Sequence, residues 1–131
     1  MSAPYLLDAN ALIALVVAEH EHHGRVAQWA GDVERLALCP IVEGALVRFL
    51  LRLGASGATA QALLTALHAS GRCEFWEDSI SYRSVDLDHV LGHRQVTDAY
   101  LADLAESRGA RLATLDRALA SARPQATYLI A

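Results

Sequence analysis

The chain has 131 residues, of which 53% are hydrophobic, and a formal net charge of −4. That length suits one domain over residues 1–131, with a core large enough to need neither disulfides nor a structural metal. The acidic balance argues against a protein that holds nucleic acid through a broad basic face, and no run approaches the ~18 uninterrupted apolar residues of a membrane span.

Tyr5-Leu6-Leu7 is a short apolar run of strand type, and Ala9 to Ala18 is apolar nearly all round, as a buried helix is. Glu19 to His23 is a polar break, and Gly24 to Ala30 carries Val26, Ala27 and Trp29 at helical spacing. Leu36 to Cys39 is a second strand, stopped by Pro40, which suits the first turn of a helix Ile41 to Leu53 closed by Gly54. Ser56 to Ala69 is a further helix, Cys73 to Trp76 a third strand, and Asp86 to Leu91 a short helical turn. Thr97 to Arg108 is a helix with Leu101, Leu104 and Ala105 as its inner stripe and Gly109 at the position of a C-cap glycine. Arg111 to Leu115, Arg117 to Ala122 and Thr127 to Ile130 complete the pattern as strand, helix and strand. Strands alternating with helices imply an α/β chain, with a central mostly parallel sheet covered on both faces.

Ligands of open parallel sheets bind at the carboxyl ends of the strands. Asp8 and Asp116 follow two predicted strands, and Asp98 opens the helix Thr97 to Arg108. Each alone is read as a helix cap or as a charge complementing the helix dipole. Glu43 is harder to explain that way. Leu46, Val47 and Leu50 follow it at spacings of three, four and seven, so it shares the apolar face while Arg52 lies opposite, and no basic residue stands one turn away. A carboxylate on a buried face costs several kcal/mol or more without a partner. A cation shared by convergent acids supplies the missing charge, and hard oxygen donors suit Mg²⁺ or Mn²⁺.

At these residues the sequence resembles the PIN-domain family, and within it the bacterial VapC-type toxins. The resemblance is carried by Leu6-Leu7-Asp8-Ala9-Asn10, Cys39-Pro40-Ile41-Val42-Glu43, Val96-Thr97-Asp98-Ala99-Tyr100-Leu101 and Arg111-Leu112-Ala113-Thr114-Leu115-Asp116, in family order. It implies a three-layer α/β/α sandwich and an acidic quartet at Asp8, Glu43, Asp98 and Asp116 that binds metal and catalyses. It assigns supporting polar roles to Asn10, Thr97 and Thr114. It further implies Mg²⁺- or Mn²⁺-dependent endoribonuclease action on single-stranded RNA, leaving a 5′-phosphate and a 3′-hydroxyl, and a cognate antitoxin, a homodimer and a cytoplasmic location. The alternatives are a catalytically inert PIN-like scaffold and a PIN-type nuclease outside a toxin–antitoxin pair. A phospho-acceptor receiver domain also gathers acids at strand ends but needs a lysine, and all eleven basic residues here are Arg. A DNA-directed nuclease of the same chemistry usually carries extra basic or helical elements, for which 131 residues leave little room.

Other residues carry weaker signals. His93 and Arg94 precede Asp98 closely and are candidates for RNA phosphate contact, with His89 four residues before His93. Tyr100 is a candidate for base stacking, against the plainer reading of a packed aromatic. Glu19 to His23 lacks the spacing of a zinc motif and reads as a solvated turn with one His packed at the next helix. Arg48 and Arg52 read as a solvated face, Trp29 and Trp76 as core or interface. Gly44 reads as room for close helix packing. Gly54 to Gly57 lacks the pattern of a phosphate loop. Cys39 and Cys73 match no zinc or redox spacing and read as reduced, mostly buried thiols of a cytosolic protein. Met1-Ser2-Ala3-Pro4 lacks the basic start of a secretory signal.

Overall fold

The computed structural model describes residues 3–131; Met1 and Ser2, part of the leader reading above, lie outside the described residues. Five strands alternate with six α-helices: β1 (Tyr5–Leu7), α1 (Ala9–Val16), α2 (His23–Asp32), β2 (Leu36–Leu38), α3 (Pro40–Arg52), α4 (Gly57–Ala69), β3 (Cys73–Phe75), α5 (Val96–Ser107), β4 (Arg111–Thr114), α6 (Arg117–Ala122) and β5 (Thr127–Leu129). The strands form one sheet in the order β3-β2-β1-β4-β5. Every pairing is parallel, with Leu6 opposite Ala37 on one side and Leu112 on the other.

The order reverses direction at β1. Parallel crossovers are right-handed almost without exception, so connections running outward on opposite sides of β1 place their helices on opposite faces. The packing agrees: α1 lies against α2 and α3, and α3 against α4, while α5 packs on β4 and β1 and α6 on β4 and β5. This is the three-layer sandwich expected from the sequence.

Because both faces are covered, the central strands are apolar throughout rather than alternating. Leu6, Leu7, Ala37, Leu38, Leu112 and Ala113 have no exposure. The flanking aromatics seal the two layers separately. On one face Trp29 of α2 stacks on Tyr128 at 5.8 Å and meets the edge of Tyr5 at 5.4 Å. On the other, Trp76 is buried beneath the Arg108 guanidinium, 4.9 Å from the ring centroid, and donates its Nε1–H to Glu74 at 2.8 Å. Both tryptophans are thus packed, as the sequence suggested.

Element boundaries differ from expectation mostly by one or two residues, within the range that fraying ends allow. One element is misplaced. The helical turn expected at Asp86 to Leu91 is reduced to a single hydrogen-bonded turn, Val90 N–H to Leu87 O at 3.0 Å; 3-10 turns occur instead at Tyr82–Ser84 and His93–Gln95. The first is nucleated by Ser81, whose hydroxyl accepts from the Arg83 N–H at 3.1 Å. Such hydroxyl–backbone bonds offer the chain a local turn with no apolar periodicity to announce it.

α5 ends as the sequence indicated. Gly109 has φ +68°; its N–H donates to Glu106 O at 3.0 Å, and the Ala110 N–H reaches back to Ala105 O at 2.9 Å. This is the paired closure of a Schellman motif. A methyl group at Gly109 meets nothing within 4 Å, so substitution there tests backbone conformation alone. Gly109→Ala is expected to lower stability by about 1–2 kcal/mol, measured by urea denaturation. Gly31→Ala inside α2, equally open, is expected to move the midpoint the other way, by up to about 1 kcal/mol.

Candidate functional site

Asp8 and Asp116 stand where adjacent strands end, on either side of the sheet's reversal. β1 delivers Asp8 to the N-cap of α1, where its Oδ1 accepts from the Ala11 N–H at 2.8 Å. Its own N–H donates to Ala113 O at 3.1 Å. β4 delivers Asp116 to the N-cap of α6, and its Oδ1 accepts from the Leu119 N–H at 3.1 Å. The cap reading of both residues is therefore sound as local structure. Thr114 joins the two strand ends: its buried Oγ1 accepts from the Asp116 N–H at 3.0 Å, and its hydroxyl donates to the Asp8 carboxylate. Asp98 enters in the first turn of α5, on the same face of the sheet as α6 and opposite α1.

These acids are electrostatically uncomfortable. Burial pushes the Asp8 carboxyl up to about 6, opposed by the hydrogen bonds from Thr114 and Ala11 and reinforced by the charge of Asp116. Burial also raises Asp98 to about 6, with Asp8 and Asp116 adding repulsion. Among the described residues no basic side chain pairs with Asp8, Asp98 or Asp116. Crowded carboxylates with no counter-charge are a donor set that fits a hard divalent cation. They do not form a finished cage: among the described residues no three His, Cys, Asp or Glu side chains are grouped as a ready metal site. Mg²⁺-like ions, which keep several waters and take few protein ligands, fit such an open arrangement.

Glu43 departs from the expectation of an unpartnered acid. Its Oε2 lies 2.6 Å from Nε2 of His68, on α4. Its side chain is mostly buried, at 19% exposure, and α3 lies against α4 along this contact. The His68 ring meets the edge of Phe75 at 6.2 Å. Sequence reasoning missed His68 because it searched for a partner within one turn of α3, and the partner sits 25 positions away. The only available signal was a lone His in the last turn of the next helix.

Beside Asp98 and Asp116 opens a cavity of about 210 Å³, lined also by His89, Gln95, Ala118, Leu119 and Ala122. His93 and Arg94 are exposed on the 3-10 turn that supplies Gln95, and Thr97 is exposed in the first turn of α5. Asn10 is exposed and lines a different feature, a groove of about 570 Å³ between α1 and α3, together with His20, Arg48 and Arg52. Arg48 and Arg52 thus border a groove rather than forming only a solvated face. Gly44 is not demanded by helix packing, since a Cβ there would meet only Arg48 Nη1, at 3.4 Å.

Tyr100 corrects a sequence expectation. It is 2% exposed and its hydroxyl donates to Ile80 O at 3.0 Å, so its ring is not available to stack on a base. The His20–His23 segment is a self-bonded turn: His20 Nδ1 accepts from the His22 N–H at 3.0 Å, and His23, opening α2, donates from Nδ1 to Ala14 O at 2.8 Å. Cys39 and Cys73 are free thiols, one buried and one half-buried.

The pattern of the PIN domain family matches residues 5–123. The chain is 52% identical over 127 residues to Ribonuclease VapC29 of Mycobacterium tuberculosis, covering 95% of each chain. It is 40% identical over 130 residues to Ribonuclease VapC38 of the same organism, covering 92% of each. Among solved structures, VapBC2 from Rickettsia felis, bound to a DNA fragment from their promoter, superposes with a TM-score of 0.65 at 18% identity and 97% coverage of both chains. That likeness speaks for the fold, and the extent of the sequence matches speaks for descent. On both grounds the chain belongs to the PIN-domain family.

Proposed function

We propose that this protein is an endoribonuclease that hydrolyses phosphodiester bonds of single-stranded RNA, acting as the toxin of a toxin–antitoxin pair. One observation carries the reading: Asp8, Asp98 and Asp116 gather at the reversal of the sheet, the carboxyls of Asp8 and Asp98 are raised, and none of the three has a cationic partner among the described residues. It is supported by extensive identity to chains named ribonucleases. The same kinship supports an antitoxin partner, a homodimer and a cytoplasmic setting. No helix among the described residues is long and apolar enough to cross a membrane.

In this reading Asp8, Asp98 and Asp116 hold a divalent cation, Mg²⁺ or Mn²⁺. Such an ion, when bound, makes water a stronger nucleophile and stabilises charge on the phosphoryl oxygens. Asp8 is pre-set for holding it: the cap bond to Ala11 and the Thr114 hydroxyl fix its carboxylate before any ligand arrives. Asp116 is fixed through one oxygen by its own cap. Glu43, held by His68, would complete the ion's shell or orient the attacking water. Arg48 and Arg52 border the groove that begins at Ala9, beside Asp8. They offer positive charge to backbone phosphates in a chain that is acidic overall.

Cleavage of a mixed-sequence single-stranded RNA, with Mg²⁺, with Mn²⁺ and with EDTA, tests the reading. Asp98→Asn is expected to reduce the rate at least about a hundredfold, the scale of a lost electrostatic stabiliser, while the fold persists. Metal-independent cutting, or full activity in Asp98→Asn, overturns the assignment.

The raised carboxyls also predict a pH dependence of stability. Between the ordinary value of 3.8 and about 6, the folded chain holds more protons at Asp8 and Asp98 than the unfolded chain does. Their contribution to stability is therefore favourable at low pH and lost as pH rises through that window. For Asp8 the full effect is about 3 kcal/mol. In EDTA, Asp98→Asn is expected to gain stability over the wild type as pH rises from 4 to 7, and Mg²⁺ is expected to stabilise the wild type at pH 7.5 but little at pH 5. Urea midpoints across pH measure both; a pH-independent difference between the two proteins rules out the charge crowding.

A further inference from the structure

The cavity beside Asp98 and Asp116 holds a group that the metal chemistry does not use. Both ring nitrogens of His89 are buried, and neither has a hydrogen-bond partner among the described residues. Buried polar atoms in folded proteins are nearly always satisfied, so a buried orphan on a cavity wall asks for a ligand. Opposite in character, Ala118, Leu119 and Ala122 of α6 give the cavity an apolar side. Gln95 completes the polar side. Its Oε1 already accepts from the Leu91 and Gly92 N–H groups, which leaves its amide –NH₂ as a donor.

The occupant that fits must be small, flat, partly apolar and edged with hydrogen-bonding groups. At about 210 Å³ the cavity is below the range that takes drug-sized ligands. A bare phosphate is excluded by the two carboxylates at the wall, which repel it without an intervening cation. Imidazole nitrogens can donate and accept, and Gln95 adds a donor, so the polar wall reads a mixed edge rather than a uniform one. The geometry points to a nucleobase subsite: the cavity receives one unstacked base of the RNA next to the scissile phosphate, and His89 reads its edge. Single-stranded RNA is recognised in this way, by bases splayed into pockets and paired on their exposed edges. The inference rests on the ribonuclease reading and names how that site selects where to cut.

The test is an NMR titration of the ¹⁵N-labelled full chain with adenosine, cytidine, guanosine and uridine separately, in EDTA, so that it depends neither on turnover nor on a phosphate that the wall carboxylates would repel. Saturable shifts at Gln95, Ala118 and Ala122, unequal among the four nucleosides, are expected. His89→Ala is expected to weaken the preferred nucleoside about three- to tenfold, the loss of one hydrogen bond, and to level the differences among the four. Ala122→Leu, on an exposed helix position, is expected to block binding by filling the apolar side, and a urea midpoint for each variant confirms that it is folded. Mapping of cut sites on the RNA pool is expected to show a base preference in the wild type that His89→Ala relaxes. Shifts that avoid the cavity, or a His89→Ala protein with unchanged nucleoside preference, overturn the subsite. Base binding without RNA cleavage instead counts against the ribonuclease reading while leaving the subsite in place.

Discussion

The pairing of β1 with β4 is the constraint from which the rest follows. It sets Leu7 beside Ala113, so the two strands end together and the two chains that leave them both turn into helices on opposite faces. This register sets Asp8 level with Thr114, two residues before Asp116, so both acids leave the same end of the sheet. A shift of one residue would turn the buried run Leu112-Ala113-Thr114 to the wrong faces and take the Thr114 hydroxyl away from Asp8. Fold and site are therefore specified by the same contacts.

That arrangement places like charges where a protein optimised for stability would not. The cap bonds at Ala11 and Leu119 recover part of the cost, and the Thr114 hydroxyl recovers more at Asp8. Asp98 has no such help: among the described residues it makes no hydrogen bond or ion pair. Of the acids it is the one whose presence the fold explains least and the proposed cation would explain most. Local violations of good stability rules, offset elsewhere, are what functional sites look like.

Much of this was legible in the sequence, because it is written in local patterns. Apolar runs of strand length, helical spacing, Pro40 and Gly109 marked nearly every element, and the alternation of strand and helix implied the parallel sheet. The acids at strand ends then pointed to one crevice. What the sequence hid are contacts between distant segments. The bond from His68 to Glu43 joins two helices and leaves no spacing to detect. Tyr100 follows Asp98 by two positions, yet helical geometry turns it into the core, where Ile80 takes its hydroxyl. Asn10 follows Asp8 by two positions and lines the groove toward α3 instead. His89 gains its meaning only from a cavity wall built by α6.

The two tryptophans carry a practical consequence. Trp29 sits in the aromatic cluster with Tyr5 and Tyr128 on one layer, and Trp76 lies under Arg108 on the other. Each is an intrinsic fluorophore anchored to a different face of the same sheet. With one replaced by Phe in turn, emission reports the loosening of each face separately. Coincident transitions would mean that the sandwich melts as one cooperative unit, and separated ones would reveal a layer that peels away first.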